Sequence, residues 1–265
     1  MAGLRVLITG AGSGLGRELA LVYARRGDRV AVVDLHADRA EETLKLLPGG
    51  GHLALVADVG SDAAMAALRA QVMGAWNGLD VLVNNAGIAS GGRIAAVSAA
   101  EWQRTLNINL MGVVRGVREF VPLLEAQRSG RVINVASFAG LAGAPGLGAY
   151  GVAKAAVVAL SEGLRAELHP QGIAVSVLCP SFFKTNLLQS CDGPESIAIK
   201  HVAAKLMDQS PIDAACVARY TIEESERGRF LLLPHKDTRA RWWLKRFWPA
   251  QYFKEMLKYM AKAGA

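Results

Sequence analysis

Cysteine is scarce in this chain of 265 residues, which contains only Cys179, Cys191 and Cys216. None stands at CxxC spacing and no histidine lies at metal-ligand spacing from them, so we expect neither a disulfide framework nor a metal site. Long apolar runs are also missing: no stretch reaches the roughly 18 residues of a spanning helix, and no signal-peptide core precedes the first apolar segment. These gaps predict a cytoplasmic protein whose thiols stay reduced.

Acidic residues are in the minority, but the excess positive charge is confined to one end of the chain. The formal net charge is +7. Residues 236–262 hold eight lysines and arginines against two acids, a net +6, so the rest of the chain is close to neutral. The basic residues do not form a recognisable nucleic-acid-binding module, and we therefore predict no nucleic-acid partner.

Short apolar runs alternate with longer helical patterns along most of the chain. Because the predicted strands are apolar almost throughout, they are typical of a parallel sheet covered on both faces. The alternation predicts an α/β fold with a doubly wound, Rossmann-type, mostly parallel seven-stranded sheet and helices on both faces. No linker is visible, so we expect one large domain over 1–235 and a basic aromatic extension over 236–265. The predicted strands are 4–9, 29–34, 52–57, 80–84, 131–136, 173–179 and 229–233, and the predicted helices are 15–26, 38–47, 62–74, 99–127 (bent or shortened by Pro122), 149–168 and 212–226.

A glycine-rich segment, TGAGSGLG at 9–16, joins the first predicted strand to the first helix. Glycine permits positive φ and lets a phosphate approach the backbone, and a helix N-terminus offers free N–H groups and a positive dipole end. Glycines are common in turns, so it is the position between strand and helix that indicates a dinucleotide pyrophosphate site. The predicted contacts are Gly10, Ser13, Gly14, Leu15 and Gly16.

Asp34 ends the second predicted strand, 18 residues after Gly16. A carboxylate there can accept hydrogen bonds from both hydroxyls of the adenosine ribose and would repel a 2′-phosphate. Leu35 and His36 follow it, so no basic residue comes directly after the aspartate. NAD is therefore favoured as the cofactor over NADP, with an ordinary strand-end or capping aspartate as the alternative explanation.

Tyr150 and Lys154 lie four residues apart on one face of a predicted helix. Because a free tyrosine has a pKa of about 10, we expect the neighbouring ammonium to lower the pKa of Tyr150 and make it a usable acid/base. Ser137, at the end of a predicted strand, could share the substrate oxygen. Asn109 stands in mid-helix, where asparagine is locally unfavourable. Ordinary structural roles remain the alternative for Ser137 and Asn109 taken singly.

Together and in this order, the motifs resemble the classical short-chain dehydrogenase/reductase family over residues 4 to about 234. The resemblance implies an oxidoreductase that moves a hydride between a nicotinamide cofactor and an alcohol or carbonyl substrate. It also implies a homodimer or homotetramer that pairs through the helices 99–127 and 149–168. The matching positions are 9–16, Asp34, Asp58-Val59, Asn84-Asn85-Ala86-Gly87, Asn109, Ser137, YGVAK at 150–154, and Pro180 with Thr185.

The resemblance implies a role for each matching residue. Tyr150 would be the catalytic acid/base, and Lys154 would bind the nicotinamide ribose and lower the pKa of the tyrosine. Ser137 would polarise the substrate oxygen, and Asn109 would carry a proton relay behind Lys154. The chain departs from the family at Ser181, where glycine is usual, so an altered turn is expected. The other implied contacts are Asp58 and Val59 at the adenine, Asn84, Asn85, Ala86 and Gly87 along the groove, and Pro180, Phe183 and Thr185 at the carboxamide.

Three of the five tryptophans lie in the basic segment RWWLKRFWP at 241–249. One interpretation is that the aromatic face packs on the domain, covers the substrate opening or meets a second subunit. The other is a peripheral contact with a membrane surface. Together with Phe182, Phe183 and the methionine-bearing region near 206, the segment favours a lipophilic substrate. Beyond 249, the apolar positions at helical spacing are Phe253, Met256, Leu257 and Met260, and the cationic stripe is Lys254, Lys258 and Lys262.

Two functions other than catalysis stay open at this point. A nucleotide-binding regulator on the same fold would be expected to have a broken catalytic set, yet Ser137, Tyr150 and Lys154 are all present. An adaptor at a membrane or lipid surface would act through 236–265 instead. The oxidoreductase is the function that the complete set of motifs favours.

Overall fold

Seven parallel strands form one sheet in the computed structural model, which describes residues 3–191 and 196–263. The strands are β1 (Arg5–Thr9), β2 (Arg29–Asp34), β3 (Leu53–Val56), β4 (Val81–Asn84), β5 (Gly130–Val135), β6 (Ile173–Leu178) and β7 (Leu231–Leu232). Their spatial order is β3-β2-β1-β4-β5-β6-β7, and every neighbouring pair is parallel. The strand order reverses between β1 and β4, which confirms the predicted doubly wound fold.

The central strand β1 explains why the strand patterns are apolar throughout. Val6, Leu7 and Ile8 are all fully buried. Because successive side chains of a strand point to opposite faces, Val6 and Ile8 join one apolar cluster and Leu7 joins another. The sheet is therefore covered on both faces, as its unbroken apolar strands predict.

Helices supply the two covering layers. They are α1 (Gly14–Arg25), α2 (Ala37–Leu46), α3 (Asp62–Trp76), α4 (Ala99–Leu106), α5 (Gly112–Gln127), α6 (Phe138–Ala142), α7 (Gly148–Leu168), α8 (Ser196–Asp208), α9 (Ala214–Glu226), α10 (Lys236–Phe247) and α11 (Pro249–Ala263). On one face, α1 and α9 contribute Leu19 and Ile222 to the core. On the other, α3 and α5 contribute Leu68 and Phe120, with α7 beside them.

A π-helical turn, Asn107–Met111, interrupts the single helix predicted over 99–127. Pro122 lies inside α5 and does not shorten it, because α5 continues to Gln127; the shortening expected there is wrong. The real break comes earlier, between α4 and α5. A π-turn keeps the chain helical and leaves the apolar pattern readable as one helix, so periodicity alone gave no sign of it.

The helices α10 and α11 pack against the sheet domain through their inner side. Trp242 joins the apolar cluster of the core beside α6. The Tyr252 hydroxyl donates a hydrogen bond to the carbonyl oxygen of Ala142 at 3.0 Å, and Lys245 Nζ donates to the carbonyl oxygen of Leu141 at 2.5 Å. Packing on the domain, one of the two interpretations of this segment, therefore describes its inner side.

Part of the predicted pattern in this segment cannot be placed. The side chains of Met260 and Lys262 lie outside the described residues, as do residues 264–265. Within the described ranges, no helix is both long enough and apolar enough to cross a bilayer.

Candidate active site

A large cavity of about 2210 Å³ follows the carboxyl ends of the strands. Residues that come directly after β1, β4, β5 and β6 all line it, as expected for a ligand site at the point where strand order reverses. Asn84 and Asn109 are the predicted residues that lie outside the lining. The predicted residues that line the cavity are Gly10, Ser13, Gly14, Leu15, Gly16, Asp34, Asp58, Val59, Asn85, Ala86, Gly87, Ser137, Tyr150, Lys154, Pro180, Phe183 and Thr185.

At Gly10 and Gly16, the glycine-rich turn between β1 and α1 has no room for a side chain. Gly10 and Gly14 adopt positive φ angles of 64° and 53°. A Cβ on Gly16 would lie 2.3 Å from the carbonyl oxygen of Gly10, and a Cβ on Gly10 would lie 2.9 Å from the Cα of Ala86. Ser13 makes no side-chain capping hydrogen bond to α1, and the first turn of α1 holds no acidic residue. The helix N-terminus therefore offers N–H groups and a positive dipole end to an anion.

Asp34, at the end of β2, faces this turn and is nearly buried. Its two carboxylate oxygens accept hydrogen bonds from the backbone N–H groups of Gly12, at 2.9 Å, and of His36, at 3.1 Å. These bonds fix the turn against the strand. Because each carboxylate oxygen can accept two hydrogen bonds, the group keeps capacity for ribose hydroxyls as well.

Arg39 lines the same end of the cavity, although the sequence analysis did not include it. It is the third residue of α2, and its Cβ lies 2.6 Å from the point where a Cβ on Gly12 would stand. The residues directly after Asp34 are Leu35 and His36, whereas the first turn of α2 brings this arginine to the cavity. Its positively charged guanidinium would attract the 2′-phosphate of NADP, so this residue argues against a preference for NAD.

The segment after β4 is fastened to the glycine-rich turn. Asn85 Nδ2 donates to the carbonyl oxygen of Thr9 at 2.8 Å, and the Thr9 hydroxyl accepts the N–H groups of Asn85 and Ala86 at 3.0 and 3.1 Å. Asn84 is buried instead, and its Nδ2 donates to Asn134 Oδ1 at 2.9 Å. Asn85 therefore lines the cavity, while Asn84 supports the sheet behind it.

Asp58 and Val59 are held at the far end of the cavity by local bonds. Asp58 Oδ1 accepts the N–H of Gly60 at 2.7 Å. The carbonyl oxygen of Val59 accepts a hydrogen bond from Arg115 Nη1 at 3.1 Å, and a Cβ on Gly112 would lie 3.0 Å from Val59 Cγ2. The start of α5 thus supports this part of the lining from behind.

Asn109 lies behind the cavity wall, fully buried in the π-helical turn. Its Oδ1 accepts the N–H of Ile88 at 2.8 Å, and its Nδ2 donates to the carbonyl oxygen of Ile88 at 2.9 Å. A Cβ on Gly87 would lie 3.0 Å from Asn109 Oδ1 and 3.4 Å from Lys154 Nζ. The asparagine that is unfavourable in mid-helix therefore fixes the backbone beside Lys154.

Ser137, Tyr150 and Lys154 meet in the cavity beyond Gly87. Lys154 is 3% exposed, and its Nζ donates to the carbonyl oxygen of Val135 at 2.8 Å. The same Nζ lies 5.9 Å from the centroid of the Tyr150 ring. The Ser137 hydroxyl accepts the N–H of Ala139 at 3.1 Å at the start of α6. The serine that follows β5 and the tyrosine–lysine pair of α7 thus share one wall.

The protonation of this group differs from the expectation. Burial raises the pKa of Tyr150, and hydrogen bonding with Ser137 lowers it only in part. Burial also lowers the pKa of Lys154 to about 8. The expected lowering of the Tyr150 pKa by the ammonium is therefore not the net effect, because withdrawal from water favours the neutral form of both groups. At neutral pH the phenol carries its proton and can act as a donor.

The segment after β6 carries Ser181, where the resembled family has glycine. Ser181 does not adopt a positive φ; within the described ranges, Asn77 and Arg128 are the non-glycine residues that do. The Ser181 N–H donates to Nδ1 of His235 at 3.2 Å, and Nε2 of the same ring lies 3.2 Å from the carbonyl oxygen of Phe182. Since Nδ1 accepts, Nε2 carries the proton of a neutral imidazole, and burial lowers the pKa of His235 accordingly. His235, which the sequence analysis missed, thus supports the turn.

Thr185 and Phe183 connect this segment to the glycine-rich turn. Phe183 is buried in the apolar cluster that includes Leu15, and its ring centroid lies 6.3 Å from that of His235. The Cβ of Thr185 lies 3.4 Å from the point where a Cβ on Gly14 would stand. Phe183 therefore packs in the core and also lines the cavity.

Apolar side chains from the second half of the chain contribute to the cavity wall. Leu206 and Met207 come from α8, Leu244 from α10, and Tyr252 and Met256 from α11. Apart from the methionine-bearing region near 206, these positions were not predicted as site residues, because they lie far along the chain from its motifs. Their chemistry suits an apolar substrate group.

A doubly wound sheet with a glycine-rich turn where strand order reverses, beside a buried lysine and a tyrosine, defines an α/β oxidoreductase that uses a dinucleotide. The chain belongs to the short-chain dehydrogenase family: the model of that family, described as short chain dehydrogenase, matches residues 5–195. The family resemblance found in the sequence is thereby confirmed. Members of the family bind NAD or NADP.

Individual relatives place the chain within this family. A short-chain dehydrogenase/reductase from Burkholderia phymatum, solved in complex with NAD, is 30% identical with a TM-score of 0.86 over 92% of this chain and 93% of its own. A short-chain dehydrogenase from Sphingobium yanoikuyae, solved in complex with NADPH, is 27% identical with a TM-score of 0.75 over 90% of each chain. The protein named "Probable oxidoreductase EphD" from Mycobacterium tuberculosis is 38% identical over 186 residues, which are 69% of this chain. The match spans only 31% of that longer relative.

Proposed function

We propose that this chain is an NAD-dependent oxidoreductase that interconverts a hydroxyl and a carbonyl group on a lipophilic small molecule. The observation that carries the proposal is the meeting of Ser137, Tyr150 and Lys154 in the cavity that also contains the glycine-rich turn. A proton donor and a phosphate cradle in one cavity are what hydride transfer to or from a carbonyl carbon requires.

The cavity fits a dinucleotide on physical grounds. A Cβ at Gly10 or Gly16 would fill the cradle, and α1 presents an N-terminus without acidic residues. The volume of about 2210 Å³ exceeds the roughly 1,000 Å³ of a large ligand pocket, so a dinucleotide leaves space for a substrate. We assign the pyrophosphate to Gly10, Ser13, Gly14, Leu15 and Gly16, the ribose to Asp34, the adenine to Asp58 and Val59, the groove to Asn85, Ala86 and Gly87, and the carboxamide to Pro180, Phe183 and Thr185.

The residues around the reacting oxygen divide the work of catalysis. The bound dinucleotide would supply or accept the hydride. Tyr150 gives its proton to the carbonyl oxygen in reduction and takes it back in oxidation, and Ser137 holds the same oxygen in place. Lys154 lies beside the tyrosine and binds the nicotinamide ribose. Asn109 keeps the Ile88 segment fixed, and the proton relay behind Lys154 passes beside it.

The preference for NAD rests on the Asp34 carboxylate, which would repel the 2′-phosphate of NADP. The Arg39 guanidinium would attract that phosphate and so favours NADP. Relatives of both kinds exist, one solved with NAD and one with NADPH. Titration with both dinucleotides decides between them. We expect tighter binding of NAD, and we expect Asp34→Asn to narrow that preference by at least about tenfold. Tighter binding of NADP by the unchanged chain would contradict the assignment.

The lipophilic substrate is supported by the apolar side chains that α8, α10 and α11 contribute to the cavity wall. A panel of alcohols and carbonyl compounds of increasing chain length tests it, with a set of small polar sugars for comparison. We expect kcat/KM to rise with apolar length. A preference for the sugars would count against this substrate class, and dinucleotide binding without any turnover would favour the regulator or adaptor instead.

The homo-oligomer implied by family resemblance is also a proposal. Val152 in α7 and Met111 beside α5 are large apolar side chains that stay exposed. They lie on the two helices expected to pair, so we propose a homodimer, with a homotetramer as the second choice. Light scattering after size exclusion measures the mass, and Val152→Asp should shift it towards the monomer.

A further inference from the structure

The helices α10 and α11 keep five large apolar side chains in contact with solvent. We call Trp243, Phe247, Trp248, Phe253 and Leu257 the tail patch. Trp248 is 64% exposed, and the other four are between 49% and 55% exposed. The rings of Trp243 and Phe247 stack with their centroids 5.1 Å apart, and that of Trp248 lies 6.0 Å from Phe247. Exposed aromatic surface of this kind marks an interaction site.

The tail patch is not the side by which these helices pack on the domain. The packing side is formed by Trp242, Lys245 and Tyr252, which contact the core and α6. Phe253 and Leu257 stand four residues apart and so share one face of α11. The two helices therefore have an inner side bound to the protein and an outer apolar side without a partner among the described residues.

The charge around the tail patch indicates what binds there. Residues 236–258 contain seven lysines and arginines against two acids, a net +5. A second copy of the chain would bring a surface of the same charge against this one, which is repulsive, and lysine is depleted from the centres of protein interfaces. An anionic lipid surface complements the charge, and tryptophan and phenylalanine beside lysine suit the boundary between lipid headgroups and acyl chains.

The same two helices form part of the cavity wall. Leu244, Tyr252 and Met256 line the cavity from the inner side, together with Arg241, Glu255 and Lys258. A surface bound to the tail patch therefore lies on the other side of the helices that line the substrate space. An apolar substrate dissolved in that surface would be separated from the cavity by the thickness of one helix, about 10 Å.

We propose that the tail patch docks this chain on an anionic lipid bilayer, from which the cavity receives its lipophilic substrate. The docking rests on the exposed apolar side chains and on the net positive charge of the residues around them, whereas the delivery of substrate rests on the proposed function. The two parts are therefore tested separately.

Flotation of the full chain with vesicles tests the docking. Vesicles of phosphatidylcholine alone are compared with vesicles that also contain phosphatidylglycerol, at low and at high salt. We expect the chain to float with the anionic vesicles and to be released by salt, because lysine and arginine each contribute through screened attraction. Absence of flotation with either kind of vesicle overturns the proposal, as does equal binding to both.

Substitutions distinguish binding through the tail patch from nonspecific hydrophobic binding. Trp248→Ser with Phe253→Ser should weaken binding to the anionic vesicles by at least about tenfold. Arg246→Gln and Lys254→Gln should each weaken it by about fivefold. The matched control is Leu46→Ser with Val56→Ser, which removes apolar side chains of similar exposure outside the tail and should leave binding unchanged. Equal loss in the control overturns the assignment of the patch.

Two further readouts keep the alternatives distinct. If ultracentrifugation shows that Trp248→Ser with Phe253→Ser breaks an oligomer while no vesicle binding occurs, a second copy covers the patch and the docking proposal is wrong. Tyr150→Phe should float as well as the unchanged chain, so failure of the catalytic proposal leaves the docking result readable. For substrate delivery, turnover of a long-chain alcohol presented in anionic vesicles should fall about tenfold in the patch variant, with turnover of a water-soluble alcohol unchanged.

Discussion

Burial sets the protonation of the individual residues that meet in the cavity. Tyr150 keeps its proton because its pKa is raised, and Lys154 is close to losing its own because its pKa falls to about 8. Cys179 is buried nearby, and burial raises its pKa to about 12, so its thiol does not ionise under ordinary conditions. Burial therefore favours the neutral form of all three groups.

Replacing Tyr150 with phenylalanine should remove the proton donor while keeping the ring. We expect turnover to fall by about a thousandfold and dinucleotide affinity to stay within about twofold, since general acid catalysis contributes on this scale. Steady-state kinetics and a cofactor titration measure the two effects. Residual turnover near that of the unchanged chain would remove Tyr150 from the mechanism.

Tyr23→Phe is the matched control for that variant. The Tyr23 hydroxyl is buried and has no hydrogen-bond partner in the described part of the chain. Because burying an unsatisfied hydroxyl is costly, its removal should raise the free energy of unfolding by about 1 kcal/mol and leave turnover unchanged. Chemical denaturation checks the stability, and a loss of stability would reveal a partner for the hydroxyl.

The buried ammonium of Lys154 should make stability depend on pH. Its pKa is 10.5 in the unfolded chain and about 8 in the folded protein. Between these values the unfolded chain binds more protons, so the cost of burying the charge is complete below about pH 8 and is relieved as the pH rises. Relative to Lys154→Met, the unchanged chain should gain about 1 kcal/mol in unfolding free energy per pH unit from about pH 8 to about pH 10.

The comparison with Lys154→Met isolates this one group. Cys179 and Tyr150 also titrate differently on folding, but they are present in both proteins, so most of their effect cancels. Urea denaturation at a series of pH values supplies the measurement. A stability difference that stays flat across this range would mean that the lysine is not withdrawn from water.

At the scale of structural elements, the glycine-rich turn is the most constrained segment of the site. Gly16→Ala would place a Cβ 2.3 Å from the carbonyl oxygen of Gly10, which the backbone can relieve only by moving. We expect a loss of about 2 kcal/mol in unfolding free energy and at least about tenfold weaker dinucleotide binding. Calorimetric titration and denaturation measure both.

Gly74→Ala is the control for that substitution. Gly74 lies in α3, and a Cβ there would meet nothing within 4 Å. Because glycine weakens a helix interior, alanine should raise the unfolding free energy by about 0.5–1 kcal/mol without changing dinucleotide affinity. Equal losses from both substitutions would contradict the steric account of the turn.

The elements that the sequence predicted well are those whose own pattern determines them. The strand predicted over 29–34 is found as Arg29–Asp34, because an unbroken apolar run with a polar residue at each end predicts a buried strand with defined bounds. The π-turn at Asn107–Met111 and the shortening of the last strand to Leu231–Leu232 were not predictable in this way. They depend on the packing of neighbouring elements, which local periodicity does not record.

The same distinction separates the predicted from the missed residues of the site. Tyr150 and Asp34 stand at fixed places in a helix start and a strand end, where the fold itself brings them to the cavity. His235 and Met256 reach it only because α10 and α11 fold back onto the domain. No local pattern marks a contact between residues so far apart in the chain.

At the scale of the whole molecule, substitutions at two adjacent tryptophans test how much the packing of α10 and α11 on the domain contributes to its stability. Trp242 packs into the core cluster beside α6, whereas Trp243 is 52% exposed. Trp242→Ala should therefore lower the unfolding free energy by about 2–3 kcal/mol, and Trp243→Ala by less than about 1 kcal/mol. Denaturation of the full chain gives both values.

The outcome bears on the predicted division of the chain at residue 235. A large effect of Trp242→Ala on a single unfolding transition means that 236–265 unfolds together with the domain. Small effects from both substitutions would mean that the segment is a separate extension, as the sequence analysis expected.

His235 connects the start of α10 to the segment after β6. Its backbone precedes α10, and its carbonyl oxygen accepts the Thr238 hydroxyl at 2.7 Å. Its ring meanwhile holds the backbone of Ser181 and Phe182. The last two helices are therefore not a cassette that homologous chains could exchange freely. If the C-terminal segment of a homologue is joined before residue 235, that segment must supply its own acceptor for the Ser181 N–H. If it is joined after residue 235, His235 is retained and still accepts this hydrogen bond.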